Sequence, residues 1–199
     1  MSTPKELKYT KEHEWVSRGG IKLNHAIDFF KVDLKDKECI DIGASTGGFT
    51  EVLLTHGAKK VYAIDVGYGQ LAWKVRKNEK VIVLEKFNAK NLKVKYFSNK
   101  VDILVCDVSF ISIKKILPQA LNILNKGGFA IVLIKPQFEL DRGKVNKGGI
   151  VEDPNLHKEI CNNIEKWCKE DLHKKILGVI PSPIKGQKGN KEFFICIQN

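Results

Sequence analysis

The sequence contains no long apolar run. The longest candidate, Phe129 to Ile134, is strand-length and stops at Lys135. A helix that spans a bilayer needs roughly 20 apolar residues, so no membrane partner is expected. Met1 to Tyr9 lacks the apolar centre of a secretion signal. The five cysteines, Cys39, Cys106, Cys161, Cys168 and Cys196, are odd in number and no two have CxxC spacing. Cys161 and Cys168 sit seven apart with His157 four before Cys161, but no fourth ligand accompanies them, so no metal is expected. Reduced thiols in a cytoplasmic setting are the natural expectation. Arginine is also scarce: among 34 basic residues only Arg18, Arg76 and Arg142 are arginine.

What is present is lysine and a core. Against 34 basic residues stand 23 acidic ones, a formal charge of +11 over 199 residues. A 43% hydrophobic share excludes a disordered chain and suits one domain. The positive charge is spread over both halves of the chain. It suits a polyanion such as RNA, which lysine meets as a point charge with little base specificity.

Residues 1–16 are polar and aperiodic and read as an arm or linker, with one domain over 17–199. An apolar helical face follows at Ile21, Leu23, Ala26, Ile27 and Phe30. Short apolar runs then alternate with helical patterns. Strands are predicted at Cys39–Ile42, Lys60–Ile64, Val81–Leu84, Val101–Cys106, Phe129–Ile134, Lys174–Ile180 and Phe193–Ile197. Helices are predicted at Phe49–Thr55, Gln70–Arg76 and Ile113–Leu124, the last closed by Asn125-Lys126-Gly127-Gly128. Another starts at Asp153-Pro154, with an N-cap and a first-turn proline, and runs to about Glu170. Glu139–Gly149 reads as a basic loop. This alternation predicts an α/β fold: a doubly wound, mainly parallel sheet with an antiparallel edge strand.

The sharpest segment runs from Asp41 through Ile42, Gly43, Ala44, Ser45, Thr46, Gly47, Gly48 and Phe49. It joins a strand to a helix, where small residues let a ligand approach backbone N–H groups. It is neither GxGxxG nor a phosphate-binding loop with Gly-Lys-Ser/Thr. An acid, one residue, a glycine and a further glycine is the pattern of Rossmann-like sheets that bind S-adenosyl-L-methionine. Asp65 ends the next strand, followed by Val66, where an acid meets ribose hydroxyls or else caps the Gly67-Tyr68-Gly69 turn. Asn88 follows the third strand and is a candidate for an adenine edge, or an ordinary turn residue. Asp107 and Lys135 end the fourth and fifth strands. A lysine there is a candidate base or orienter, unless it snorkels to the rim.

Six ordered motifs carry a family resemblance. They are Ser17-Arg18-Gly19-Gly20-x-Lys22-Leu23, the Asp41–Thr50 segment, Val61–Leu71, Asp107–Ser112, Lys135-Pro-Gln-Phe-Glu139 and Lys147-Gly-Gly-Ile-Val151. Together they resemble the TlyA (hemolysin A-like) rRNA methyltransferases, within the FtsJ-like ribose 2′-O-methyltransferases, over roughly residues 15–199. The resemblance implies a Rossmann-like fold, S-adenosyl-L-methionine as cofactor, and 2′-O-methylation of RNA, with cytidine of ribosomal RNA or ribosomal subunits as substrate. It places a catalytic tetrad on Lys22, Asp107, Lys135 and Glu192. It places the cofactor pocket on Asp41, Gly43, Gly47, Asp65, Asn88 and Asp107. The resemblance also implies a small RNA-binding module before the methyltransferase domain, and too few residues precede Arg18 to form one. Arg142, Lys144 and Lys147 in the basic loop are then candidates to face RNA. A membrane-active protein and a non-catalytic RNA-binding module are the competing readings, with a small-molecule methyltransferase further off.

Overall fold

A computed structural model describes residues 14–140 and 148–199. Its strands are β1 (Glu38–Ile42), β2 (Lys60–Ile64), β3 (Val81–Leu84), β4 (Val101–Cys106), β5 (Leu124–Ile134), β6 (Lys175–Pro181) and β7 (Phe193–Gln198). They form one sheet in the order β3-β2-β1-β4-β5-β7-β6. The ladders among β1 to β5 are parallel, and β7 runs antiparallel to both neighbours, β5 and β6. The reversed strand therefore lies second from the edge, and the edge strand β6 points the same way as β1 to β5.

The helices are α1 (Gly19–Phe30), α2 (Gly48–Thr55), α3 (Trp73–Arg76), α4 (Leu117–Leu121), α5 (Pro136–Glu139) and α6 (Pro154–Glu170). The central strands are apolar on both faces because both faces are covered. Cys39, Ile103, Val105, Ile131 and Leu133 share one core with Leu23, Ile27 and Phe49 of α1 and α2. Their strand neighbours Ile40, Leu104, Cys106 and Val132 share the opposite core with Leu117, Ile160 and Ile164 of α4 and α6. Alternate residues along each strand thus enter different layers. No helix among the described residues is long and apolar enough to cross a membrane.

Several sequence expectations are corrected. The helix expected over Ile113–Leu124 is a 3₁₀ turn at Ile113–Lys115 followed by the five-residue α4. Pro118 has no N–H to return to the carbonyl four residues back, so a continuous helix fails there. The glycines expected to end that helix lie inside β5. Gly127 takes φ +79°, and the β4–β5 register shifts beside it. The helix expected over Gln70–Arg76 shortens to α3. By contrast, α6 begins as its sequence predicts: the Asp153 side chain accepts from the Asn155 N–H, and Pro154 occupies the first turn. Trp15 and Val16, placed in the arm by sequence, pack on the body: Trp15 lies against Gly20, and the Val16 N–H donates to Glu51 Oε2 at 2.6 Å. Arg142, Lys144 and Lys147 lie outside the described residues.

Candidate active site

The turn from β1 into α2 is a backbone cradle. The N–H groups of Gly43 and Ala44 both donate to the Ile64 carbonyl, at 2.9 and 3.0 Å, which hangs the turn on the end of β2. Gly43 has φ +85°, and a Cβ there would sit 2.4 Å from the Asp107 carbonyl oxygen. Only glycine fits both demands. Gly47 has φ +97° and opens α2. Gly48 faces away from the cradle, where a Cβ would meet Gly20 N at 2.9 Å. Its smallness lets α1 and α2 touch. The Phe49 ring is likewise buried, with its centroid 6.2 Å from that of Phe194. Gly48 and Phe49 thus hold α2 in place instead of lining the cradle with side chains. The Thr46 carbonyl accepts from the Ala72 N–H at 3.0 Å.

Acidic groups surround this turn. Asp41 lies within β1 and is fully buried. Its Oδ2 accepts from Thr50 Oγ1 at 2.6 Å, and its Oδ1 has no partner. Burial pushes its pKa up to about 7; the Thr50 hydrogen bond opposes this, and the charges of Asp107 and Asp65 add to it. Asp65 accepts from the Ser45 N–H at 2.8 Å and from the Gly67 N–H at 2.7 Å, so it ties the cradle to the next turn. Of the two sequence readings of Asp65, the structure shows the cap on the turn; the same carboxylate borders the cradle. Val66 stands exposed at the rim. Asn88 is exposed, and its Oδ1 caps a 3₁₀ turn by accepting from the Lys90 N–H at 3.0 Å.

Beside the cradle, strand pairing gathers the second group of residues. Cys106 pairs with Val132, and Ile134 pairs with Phe193. Asp107, Lys135 and Glu192 are each one to three residues beyond those pairs, at one edge of three adjacent strands. Lys135 Nζ lies 2.6 Å from Asp107 Oδ1 and donates to Ser109 Oγ at 2.8 Å. Lys22 reaches the same edge from α1, and its Nζ donates to Glu192 Oε2 at 2.5 Å. Both members of that pair are buried, with side chains 10% and 3% exposed. A buried charge of either sign alone would be costly, so each requires the other. The Asp107 N–H donates to the Ile42 carbonyl at 2.9 Å, so the cradle and this edge share a backbone bond. Two lysine–carboxylate pairs beside an acid-lined cradle can hold a polar ligand group and manage a proton.

Four residues have local roles that the sequence reading did not assign. Phe110 is 88% exposed and takes φ +65°, a strained state for a bulky residue. It lies next to Ser109, and its ring centroid is 5.1 Å from that of Phe138. Glu139 accepts from Ser112 Oγ at 2.6 Å and from the Ile113 N–H at 2.9 Å, and burial raises its pKa. Asn190 is buried; it accepts from the Val151 N–H at 2.8 Å and donates to the Gly149 carbonyl at 2.9 Å. His157 Nε2 meets the Val151 carbonyl at 2.8 Å. Glu139 ends the Lys135-Pro-Gln-Phe-Glu139 motif, but its partners are 26 and 27 residues away. No local pattern announces such pairs.

Known proteins match this arrangement. The family model described as FtsJ-like methyltransferase matches residues 15–199. "Hemolysin A" of Brachyspira hyodysenteriae is 49% identical over 188 residues, which is 94% of this chain and 78% of that protein. "16S/23S rRNA (cytidine-2'-O)-methyltransferase TlyA" of Mycobacterium tuberculosis is 43% identical over 187 residues, covering 94% of this chain and 69% of that protein. A solved structure described as "The crystal structure of a putative hemolysin from Lactococcus lactis" superposes with a TM-score of 0.89 at 45% identity, covering 92% of this chain and 88% of that one. The family match spans the cradle, both ion pairs and all seven strands: the chain belongs to the FtsJ-like methyltransferases.

Proposed function

We propose that this methyltransferase uses S-adenosyl-L-methionine to methylate a ribose 2′-hydroxyl of RNA, with a cytidine of ribosomal RNA as the target. The observation that carries the reading is the pair of lysine–carboxylate contacts, Lys135–Asp107 and Lys22–Glu192, set beside the glycine cradle. The relative named as an rRNA (cytidine-2'-O)-methyltransferase supports the choice of substrate.

The cradle fits the cofactor. Gly43 and Gly47 leave room where a side chain would collide, and the unpartnered Oδ1 of Asp41 offers an acceptor. Asp41, Asp65 and Asp107 together set negative potential around the turn, which suits a cationic ligand. The backbone from Gly43 to Gly47, with Asp65 and Val66, would hold it, and Asn88 stands near the third strand as a further candidate. When bound, S-adenosyl-L-methionine supplies an activated methyl group.

The remaining work falls to the protein. A lysine ammonium has three N–H donors. Ser109 Oγ accepts one from Lys135 and Asp107 Oδ1 pairs with its charge at 2.6 Å, which leaves a donor for the ribose oxygen. That contact directs a lone pair of the hydroxyl and stabilises the oxygen as its proton passes to water. Asp107 holds Lys135 in place. Lys22 and Glu192 fix the far side of the ribose, and their mutual bond keeps both ordered before substrate arrives. Phe110 offers an exposed ring for the target base.

The test uses labelled S-adenosyl-L-methionine with ribosomal subunits or naked rRNA, followed by mapping of alkali-resistant positions. The parent protein should label a ribose. Lys135→Ala should lose at least 100-fold in kcat, the range of general acid–base effects, while cofactor Kd stays within twofold. Near-parental turnover by Lys135→Ala would remove that lysine from the mechanism. Absence of label at saturating cofactor would favour a binding module.

A further inference from the structure

A groove of about 680 Å³ lies between α6 and the segment that joins β6 to β7, and it ends at Glu192. Its lining includes the apolar side chains of Val179, Ile180, Pro181, Pro183, Ile184 and Phe193. The acids and the cations around it differ in one respect. Glu192 is neutralised by Lys22 at 2.5 Å, and Glu165 by Lys169 at 2.6 Å. Lys158, Lys185 and Lys191 also line the groove, and all three are exposed. None has an acidic partner among the described residues. The groove therefore combines an apolar floor with three uncompensated positive charges.

The loop is already shaped. The Ser182 N–H donates to the Glu192 carbonyl at 2.8 Å, Ser182 Oγ to the Ile184 carbonyl at 2.8 Å, and the Gly186 N–H to the Asn190 carbonyl at 2.9 Å. Arg18 Nη2 donates to the Lys185 carbonyl at 2.6 Å, which ties the Arg-Gly-Gly segment to the same loop. Little ordering entropy remains to be spent when a ligand enters.

We propose that this groove binds the single-stranded RNA that flanks the methylated nucleotide, with bases on the apolar floor and phosphates at Lys158, Lys185 and Lys191. The inference rests on the RNA methyltransferase reading and adds a path for the strand. A single strand matches both surfaces at once: bases offer flat faces, and the backbone offers regularly spaced negative charge. A duplex hides its bases and would meet only the lysines. Glu192 belongs both to the groove's lining and to the Lys22 ion pair, so a strand in the groove lies next to that pair.

Fluorescence anisotropy with a labelled 10-residue oligocytidylate, in single-stranded form and paired with its complement, tests the proposal. Two variants are compared with the parent. Lys158→Ala/Lys185→Ala/Lys191→Ala removes the charge. Asn162→Trp fills the groove from the exposed face of α6 without altering charge. Cofactor Kd checks folding in both. Each lost phosphate contact lowers the salt slope by about 0.7 for a single strand. The triple variant should therefore lose about 2 from the slope of log K against log salt and bind the single strand on the order of tenfold more weakly. Asn162→Trp should weaken binding with the slope retained. The duplex should bind more weakly than the single strand and be indifferent to Asn162→Trp. Parental affinity and slope in both variants, or a preference for duplex, would overturn the groove. Ribosomal RNA labelling by the same preparations separates the two readings: parent-like KM for rRNA in both variants rejects the groove alone. A parent that binds oligocytidylate through the groove yet labels no rRNA rejects the enzymatic reading alone.

Discussion

Asp41 keeps its carboxylate away from water, with Oδ2 engaged by Thr50 and Oδ1 unpartnered. Its pKa rises from 3.8 to about 7, chiefly through burial. The sign of the consequence follows from proton linkage. Between those values the folded protein binds the proton more tightly than the unfolded chain does, so this group's stabilising contribution is full below pH 4 and is lost as pH rises through 7. Cofactor-free protein should therefore lose stability at this site from pH 5 to pH 8. Asp41→Asn should flatten that fall by on the order of 1–3 kcal/mol, measured by urea unfolding at both values. Equal falls in parent and variant would contradict the assignment. Phe110 shows the opposite balance. Its left-handed backbone costs about 1–2 kcal/mol, and its ring is largely in solvent. Strain held at an exposed aromatic beside Lys135 points to use, not to packing. Phe110→Gly relieves the strain and forfeits the contact with Phe138. We expect stability within about 1 kcal/mol of the parent and a raised KM for RNA. A large loss of stability with unchanged KM would make Phe110 a packing residue.

The elements explain what could be read from sequence and what could not. Buried parallel strands announce themselves as short apolar runs, and β3 and β4 fall where those runs lie. The start of α6 was legible because its signal is local: Asp153 caps and Pro154 follows. The region around α4 was not, because an apolar face continues through Ile113 to Leu124 while Pro118 breaks the backbone underneath it. Gly127 and Gly128 carry a helix-stop composition but serve a bulge, since the β4–β5 pairing that requires them is remote in sequence. Asp107, Lys135 and Glu192 could be nominated one by one. Their juxtaposition comes from the β4–β5–β7 order, which periodicity does not encode. The Lys22–Glu192 bond spans 170 residues, and only the fold brings its ends together. Asn190 belongs to this scale too. It holds Gly149 and Val151 through two side-chain bonds and lies two residues before Glu192. Asn190→Ala leaves a buried N–H and a carbonyl without partners, at a cost of about 1–3 kcal/mol. Urea unfolding should show that loss with an unchanged m-value. A loss under about 0.5 kcal/mol would mean that water replaces the side chain.

At the scale of the whole molecule, the +11 charge has to be reconciled with a site rich in acids. Asp41, Asp65 and Asp107 surround the cradle, and Lys22 and Lys135, the lysines proposed to act on the ribose, are each paired with a carboxylate. The excess positive charge therefore lies outside the chemistry, on exposed lysines such as Lys158, Lys185 and Lys191. This separation divides the two ligands by their response to salt. A cofactor held by backbone N–H groups and a few carboxylates releases few ions on binding. A polyanion held by surface lysines releases one condensed counterion for roughly each phosphate met. With three phosphate contacts on a single strand the slope is about −2, so raising salt from 50 to 200 mM should weaken RNA binding more than tenfold. Over the same range cofactor Kd, measured by calorimetry, should change by less than about twofold. The KM for RNA should follow RNA affinity, while kcat at saturating RNA stays flat, because the Lys22–Glu192 pair is buried and Lys135 is mostly covered. If kcat instead fell in parallel with RNA affinity, the ion pairs would themselves be open to salt, and the catalytic edge would be part of the exposed positive field.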